Sequence, residues 1–324
     1  MNGSMDISTW PRRYLHAVAG ALTGLLLAGC AGAGAADRQE ADAKPLALTT
    51  FTVLADIAQN IAGDEVEVAS LTKPGAEIHG YEPTPGDLRT AADADLLIDN
   101  GLGLEAWFEQ FVAELDVPRA VASEGIEPID IAEDAYAGRP NPHAWMSPLV
   151  VQDYADNLVD AFSELVPGSR AEFEQNATAY KEELQSVHDS LTEALDGLPA
   201  GTRTLVTCEG AFSYLARDAG LEEEFLWAVN AENEATPQQI RDVIEYVEAE
   251  DVPTVFCEST VSDRGMQRVV EATGAEFGGT LYVDSLSAPG GEGPTYLDLI
   301  RHDAEVIAAG LGAGHGTGLE GSGA

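Results

Sequence analysis

The chain has 324 residues, 45% of them hydrophobic, and 56 acidic against 16 basic side chains give it a formal charge of −40. That apolar content over this length is enough to bury a large core and suggests two domains. The charge excludes nucleic acid as a partner, because phosphate binding needs the opposite sign, and it suits a protein that must stay dissolved in a salty or variable medium.

Arg12 and Arg13 precede an apolar run from Ala17 to Ala28, which Gly29 and Cys30 follow. Crossing a bilayer takes about 20 apolar residues, so residues 1–29 are expected to be an export signal rather than a membrane span. Leu27-Ala28-Gly29-Cys30 resembles a bacterial lipobox, in which cleavage leaves Cys30 as a lipidated N-terminus; an ordinary secretory peptide with an incidental cysteine is the alternative. Several acyl chains, at about 0.8 kcal/mol per buried methylene, would make such an anchor stable. Residues 30–44 are small and polar and read as a flexible tether.

Beyond the tether, short β-branched runs alternate with amphipathic stretches, the pattern of α/β units with parallel sheets. In the first half, strands are expected at 46–52, 66–71, 96–100 and 119–122, with helices at 54–62, 87–92, 104–115 and 148–165. Phe173, Ala177, Tyr180, Leu184, Val187, Leu191 and Leu195 then recur at steps of three and four. That spacing predicts one helix of roughly 28 residues, a rigid connector stopped by Gly197, Pro199 and Gly201. The second half repeats the alternation, with strands at 204–208, 223–229, 254–258 and 279–284 and helices at 211–219, 237–250, 265–272 and 296–311. The expected division is therefore an N-terminal lobe at 45–168, the connecting helix at 169–199, a C-terminal lobe at 200–311 and a Gly-rich, disordered tail at 312–324.

Four side chains able to ligate a metal sit in separate turns rich in Gly or Pro or at strand ends: His79, His143, Glu209 and Asp284. Two imidazoles and two carboxylates supply four nitrogen or oxygen donors and about two negative charges, enough to neutralise a divalent cation. Each falls after a strand or at the entry to a helix, and in open α/β sheets ligands bind beyond the carboxyl ends of the strands. A cleft between two such lobes is where they would meet. Taken singly, each has a bland reading as a solvated histidine or a helix cap, and Asp263 and Glu258 compete with Asp284 as the acid of the second half. His188 and His302 are expected on helix surfaces. Trp145 and Phe212 flank two of the candidates, either as a dry surround for the site or as ordinary core.

The segments His79-Gly80-Tyr81-Glu82-Pro83-Thr84-Pro85, Asn141-Pro142-His143-Ala144-Trp145, Glu209-Gly210-Ala211-Phe212, Ala231 to Ile240, Glu258-Ser259-Thr260-Val261 and Asp284-Ser285 resemble, in order, the solute-binding lipoproteins of bacterial metal ABC importers. As a set they are highly specific, and they extend from about residue 46 to 311. The resemblance implies two Rossmann-like α/β lobes with parallel sheets, joined by a long rigid backbone helix. It also implies a metal bound in the inter-lobe cleft, with His79, His143, Glu209 and Asp284 as the expected ligands, and delivered to a cognate ABC permease in the membrane. A monomer, lipid-anchored at Cys30 to the outer face of the cytoplasmic membrane or held in the periplasm, is expected. Zinc receptors of this family resemble one another in carrying a histidine at the third ligand position, with a His- and acid-rich loop. This chain carries Glu209 there, in a Cys208-Glu209-Gly210-Ala211-Phe212 string similar to that of manganese receptors, and has no such loop. Where the family commonly has Asp-Pro-His at the first ligand, Ala76-Glu77-Ile78 precede His79 here.

Carboxylate oxygens suit Mn²⁺ and Fe²⁺, with Mn²⁺ preferred on the resemblance, while Zn²⁺ stays open because a nitrogen/oxygen site can still bind it more tightly. Four protein ligands leave no open coordination position for activating water, and neither HExxH nor a Ser-His-Asp or Cys-His arrangement stands in the chain, so a non-catalytic receptor is expected rather than an enzyme. A surface adhesin on the same scaffold is the alternative. Cys208 and Cys257 each end an expected strand before a glutamate, and in an exported protein they are expected to pair; two buried thiols are the other possibility. Reduction of such a bond beside Glu209 is expected to loosen metal binding.

Overall fold

The computed structural model describes residues 44–112, 115–132, 136–199, 202–229 and 235–313. The export signal, Cys30, the tether before residue 44, the tail after residue 313 and Ala231 to Glu234 of the resembling string lie outside the described residues. Strands β1 (Leu46–Thr49), β2 (Glu67–Ser70), β3 (Leu96–Asp99) and β4 (Arg119–Val121) form one sheet in the order β2-β1-β3-β4. Every pairing is parallel, with Ala47 opposite Val68 on one side and Leu96 on the other. Parallel neighbours need a crossover, supplied in turn by α1 (Thr52–Ala62), α2 (Pro85–Asp93) and α3 (Ala106–Val112). Both faces of the sheet are covered: Ala47 and Ile98 enter the main core, while Leu48 and Leu97 join a second cluster with Ala91 and Phe108. That is why the two central strands, β1 and β3, read as near-continuous apolar runs rather than alternating ones.

Helix α4 (Pro148–Leu165) starts at the N-cap Ser147, which accepts from Val150 N, with Pro148 in the first turn. It leads into α5 (Arg170–Asp196), whose 27 residues make a rod about 40 Å long. The residues α5 buries are the seven the spacing marked, Phe173 through Leu195. In the second half β5 (Thr204–Glu209) pairs in parallel with β6 (Glu222–Trp227), and β7 (Thr254–Glu258) with β8 (Glu276–Leu281). Helices α6 (Ser213–Ala219), α7 (Pro237–Ala249), α8 (Arg264–Thr273) and α9 (Tyr296–Ala313) complete it. A Cys208–Cys257 disulfide ties β5 to β7, with the two Cα atoms 4.9 Å apart, the spacing of neighbouring strands. The main core is continuous from Ala47 through Phe173 on α5 to Leu205, Phe256 and Leu311, so the halves share buried apolar surface along the long helix.

One strand lies earlier than its expected place. β8 covers Glu276–Leu281, so Asp284 follows the strand instead of ending it. The expected strand begins at Gly279, whereas both Gly278 and Gly279 lie inside β8: a Cβ on Gly278 would lie 2.4 Å from both Phe256 and Thr254 of β7. Glycine there permits close approach of two chains. His302 is half-buried rather than on the surface, its ring against Tyr282 and its Nε2 3.1 Å from the Thr280 carbonyl, and His188 is half-buried too. Helix α9 also runs on through Gly312 and Ala313.

Candidate metal centre

Each of the four candidate side chains arrives on a different connection. His79 rides the loop between β2 and α2, whose shape is set at both ends. The Glu77 carboxylate accepts from the backbone N–H groups of His79 and Gly80 at 2.7 and 3.0 Å, and Thr84 with Asp87 forms a capping box at the start of α2. His143 enters a short 3₁₀ turn, Ala144–Met146, just before α4. Glu209 is the last residue of β5, and Asp284 lies beyond β8 in a segment held to the first half: Ser285 Oγ accepts from Gly75 N at 2.6 Å and Leu286 N donates to Thr52 Oγ1 at 3.0 Å.

The four meet. His79 Nε2 lies 3.1 Å from His143 Nε2, 3.2 Å from Glu209 Oε1 and 3.8 Å from Asp284 Oδ1. His143 Nε2 lies 3.5 Å from Glu209 Oε1 and 3.8 Å from Asp284 Oδ1. Metal–donor bonds of about 2.1 Å place tetrahedral donors about 3.4 Å apart, so these separations fit one small cation. Asp284 Oδ1 is buried and has no hydrogen-bond partner among the described residues, which is costly for an oxygen unless a cation or proton compensates it. The side chains of His143, Glu209 and Asp284 are fully buried and that of His79 is 6% exposed, so the His79 loop is the edge of the cluster nearest solvent.

Without metal, the cluster's own charges settle where protons sit. Burial pulls the His79 imidazole down, but Glu209, by charge and hydrogen bond, and then Asp284 and Glu77 overcome it and lift it to about 9. His143 goes the other way, to about 3, through burial; Glu209 offsets part of this and His79 adds to it. Burial raises Asp284 to about 7 against the pull of His79. One proton on His79 thus occupies the place of a cation among the acids.

The rival acids are elsewhere. Asp263 is exposed at the start of α8 and accepts from Gln267. Glu258 is buried behind Glu209, accepting from its backbone N–H at 3.2 Å, and burial next to Glu209 holds its carboxyl well above the usual range. Trp145 and Phe212 are fully buried; Trp145 donates through Nε1 to Val283 O at 3.0 Å, and its ring stands 5.1 Å from that of His143. Sequence reasoning missed Asn141, whose amide reaches both His143 and the Gly210 carbonyl. It stands inside a string singled out for His143, but nothing local reveals that its partner lies 69 residues away.

Residues 48–310 match the family described as ZnuA, zinc-uptake complex component A, periplasmic. The chain belongs to this family. It is 50% identical over 266 residues to the iron-binding protein YfeA of Yersinia pestis, covering 82% of this chain and 86% of that protein. It is 34% identical over 272 residues to the manganese ABC transporter substrate-binding lipoprotein PsaA of Streptococcus pneumoniae, covering 82% and 88%. Among solved structures, the Mn-bound periplasmic metal binding protein from Candidatus Liberibacter asiaticus superposes with a TM-score of 0.78 at 36% identity, over 83% of this chain and all of that one. The periplasmic zinc binding protein TroA from Treponema pallidum gives 0.76 at 28% identity, over 83% of this chain and 99% of that one. The α/β architecture with parallel sheets and a long joining helix is that of this ZnuA family.

Proposed function

We propose that the protein is the extracytoplasmic receptor of an ABC importer, and that it captures Mn²⁺ or Fe²⁺ between its two halves with His79, His143, Glu209 and Asp284 and hands it to a membrane permease. The observation that carries the ligand assignment is that donors from four distant segments meet around two imidazoles, whose Nε2 atoms lie 3.1 Å apart and each 3.2 to 3.8 Å from a carboxylate oxygen of Glu209 and of Asp284. Two carboxylates among four ligands suit Mn²⁺ and Fe²⁺ as cargo, although such a site can still hold Zn²⁺ more tightly. The names of the relatives support the same ions, one iron-binding at 50% identity and one manganese at 34%, and a Mn-bound neighbour has the same fold. Zinc is the second reading, supported by the family description and by the TroA neighbour. The protein acts in transport and not as an enzyme, a reading supported by its family of metal-uptake components and by its iron-binding and ABC transporter relatives. Anchoring through Cys30 accords with the lipoprotein relative.

The test is metal binding by chelator-stripped protein at buffered free Mn²⁺, Fe²⁺ and Zn²⁺, with bound metal and thermal shift read together. One Mn²⁺ or Fe²⁺ per chain is expected, stabilising the fold by about 2.7 kcal/mol at one hundred times Kd. Glu209→Ala and Asp284→Ala are each expected to abolish that shift while the metal-free proteins stay folded. A shift retained in both variants refutes the ligand set, and binding of Zn²⁺ alone transfers the reading to a zinc receptor.

A further inference from the structure

The buried amide of Asn141 stands between His143 and the segment that follows Glu209. Its Oδ1 accepts from the His143 backbone N–H at 3.0 Å and lies 2.9 Å from His143 Nδ1. Its Nδ2 donates to Gly210 O at 2.7 Å and to Ser213 Oγ at 3.1 Å. The backbone is held as well, since Asn141 O accepts from Tyr214 OH at 2.9 Å and Asn141 N donates to Ile129 O at 2.7 Å.

The direction in which the amide faces is dictated by its partners. A backbone carbonyl only accepts, so the group against Gly210 O has to be the NH₂ end. Ser213 agrees: its Oγ lies 2.5 Å from Glu223 Oε2, which takes the hydroxyl proton and leaves a lone pair toward Asn141. Glu223 is itself fixed by accepting from Phe212 N at 2.8 Å through its other oxygen. The amide oxygen is then turned to His143, where the backbone N–H confirms it as an acceptor. An acceptor at 2.9 Å from Nδ1 requires a hydrogen on Nδ1, and a neutral imidazole with that hydrogen has its lone pair on Nε2. His143 Nε2 is the atom that faces His79, Glu209 and Asp284.

We infer that Asn141 is a positioning residue for metal capture: gripped by Gly210 and Ser213 of the second half, its amide sets the Nδ1–H tautomer of His143 and aims the Nε2 lone pair at the point where the four donors meet. The same side chain links a ligand of the first half to the residue next to a ligand of the second, so it also holds the two in register. A partner that fixes a ligand imidazole in this way is worth about 10- to 100-fold in metal affinity. The inference rests on the reading of His143 as a ligand and adds to it the group that prepares the ligand before metal arrives.

The experiment is long-range ¹H–¹⁵N spectroscopy of the histidine rings in chelator-stripped protein near pH 7, with Mn²⁺ affinity measured alongside. The wild-type protein is expected to show His143 with a protonated Nδ1 and a bare Nε2; a proton on Nε2 overturns the inference without any variant. Asn141→Leu is expected to lose that tautomer preference and 10- to 100-fold in Mn²⁺ affinity, whereas retention of both overturns the inference. Should Asn141→Leu fail to fold, Asn141→Asp removes the NH₂ that Gly210 and Ser213 hold and sets a carboxylate oxygen against the Gly210 carbonyl; it is expected to lower Mn²⁺ affinity 10- to 100-fold, and an unchanged affinity overturns the inference. His143→Ala separates the two readings: Mn²⁺ binding retained in that variant overturns the ligand assignment, while the wild-type spectrum still decides the tautomer.

Discussion

His79 gives the site its pH dependence. Its imidazole is held at about 9, above the ordinary 6.5, so in metal-free protein it contributes stability that is fully present below pH 6.5 and is lost as pH rises through about 9. Asp284, lifted from 3.8 to about 7, works in the same direction over a lower window, because its folded form also keeps a proton that the unfolded chain has released. On the proposed ligand set, metal needs the bare lone pair of His79 and the ionised carboxyl of Asp284, so it competes with both protons. Affinity for Mn²⁺ is expected to rise with pH, approaching tenfold per unit between about 7 and 9, where His79 alone must lose its proton, and more steeply below 7. Titrations at pH 6, 7 and 8, with proton release followed in weakly buffered solution, check this. A constant Kd over that range would mean that His79 is not a ligand or not protonated beforehand.

At the level of elements, loop shape sets ligand position, and caps set loop shape. Thr84 accepts from Gly86 N and Asp87 N at the start of α2, while Asp87 Oδ2 accepts from Thr84 N at 2.7 Å and from Tyr81 OH at 3.0 Å. These bonds pin the chain two to five residues beyond His79. Thr84→Ala is expected to cost about 1 kcal/mol in urea unfolding and to weaken Mn²⁺ binding several-fold by loosening the His79 loop. An unchanged affinity would show that Glu77 alone shapes that loop. A second turn, after β3, is built on glycine: Gly101 has φ +85°, and a Cβ there would lie 2.5 Å from Val121 Cγ1. The neighbouring Asn100 donates to the Pro142 carbonyl at 3.0 Å and accepts from Tyr154 OH at 2.5 Å, so this turn braces the segment that delivers His143.

Across the whole molecule, the shared core decides how far the halves can move, while the disulfide ties two strands within the second half. Cys208 and Cys257 are 49 residues apart, and closing a loop of that length stabilises a fold by about 4 kcal/mol in the chain-entropy account. Glu209 and Glu258 follow the two bonded cysteines and touch each other through the 3.2 Å backbone contact. Reduction is therefore expected to lower stability by about 2–4 kcal/mol and to weaken metal binding, measured by urea unfolding and Mn²⁺ titration with and without reductant. Equal affinity in both states would mean that strand packing alone holds Glu209 in place. Because the core runs unbroken along α5 into both halves, capture is expected to involve local movement of the ligand-bearing loops rather than wide separation of the two halves.

Residues that act through their neighbours in the chain were legible in the sequence. The three-and-four spacing from Phe173 to Leu195 predicted the face that α5 buries, and α7 starts at the expected residue 237, where Thr236 caps it and Pro237 follows, because helix periodicity and capping depend on a few adjacent residues. The strings around His79, His143, Glu209 and Asp284 named the side chains that converge, through their resemblance to a family and not through spacing. Other features had no local signal. That β8 begins at Glu276 and takes in Gly278 shows only once Phe256 and Thr254 lie against that glycine; Glu258 and Asp263 compete with Asp284 until the strands are paired; and the Asn141 amide has no direction until Gly210 and Ser213 lie beside it. Helices and strands arise from the order of residues along the chain, whereas a ligand's burial, proton and lone pair depend on groups brought to within about 4 Å from distant parts of it, and only the packed tertiary structure decides which groups those are.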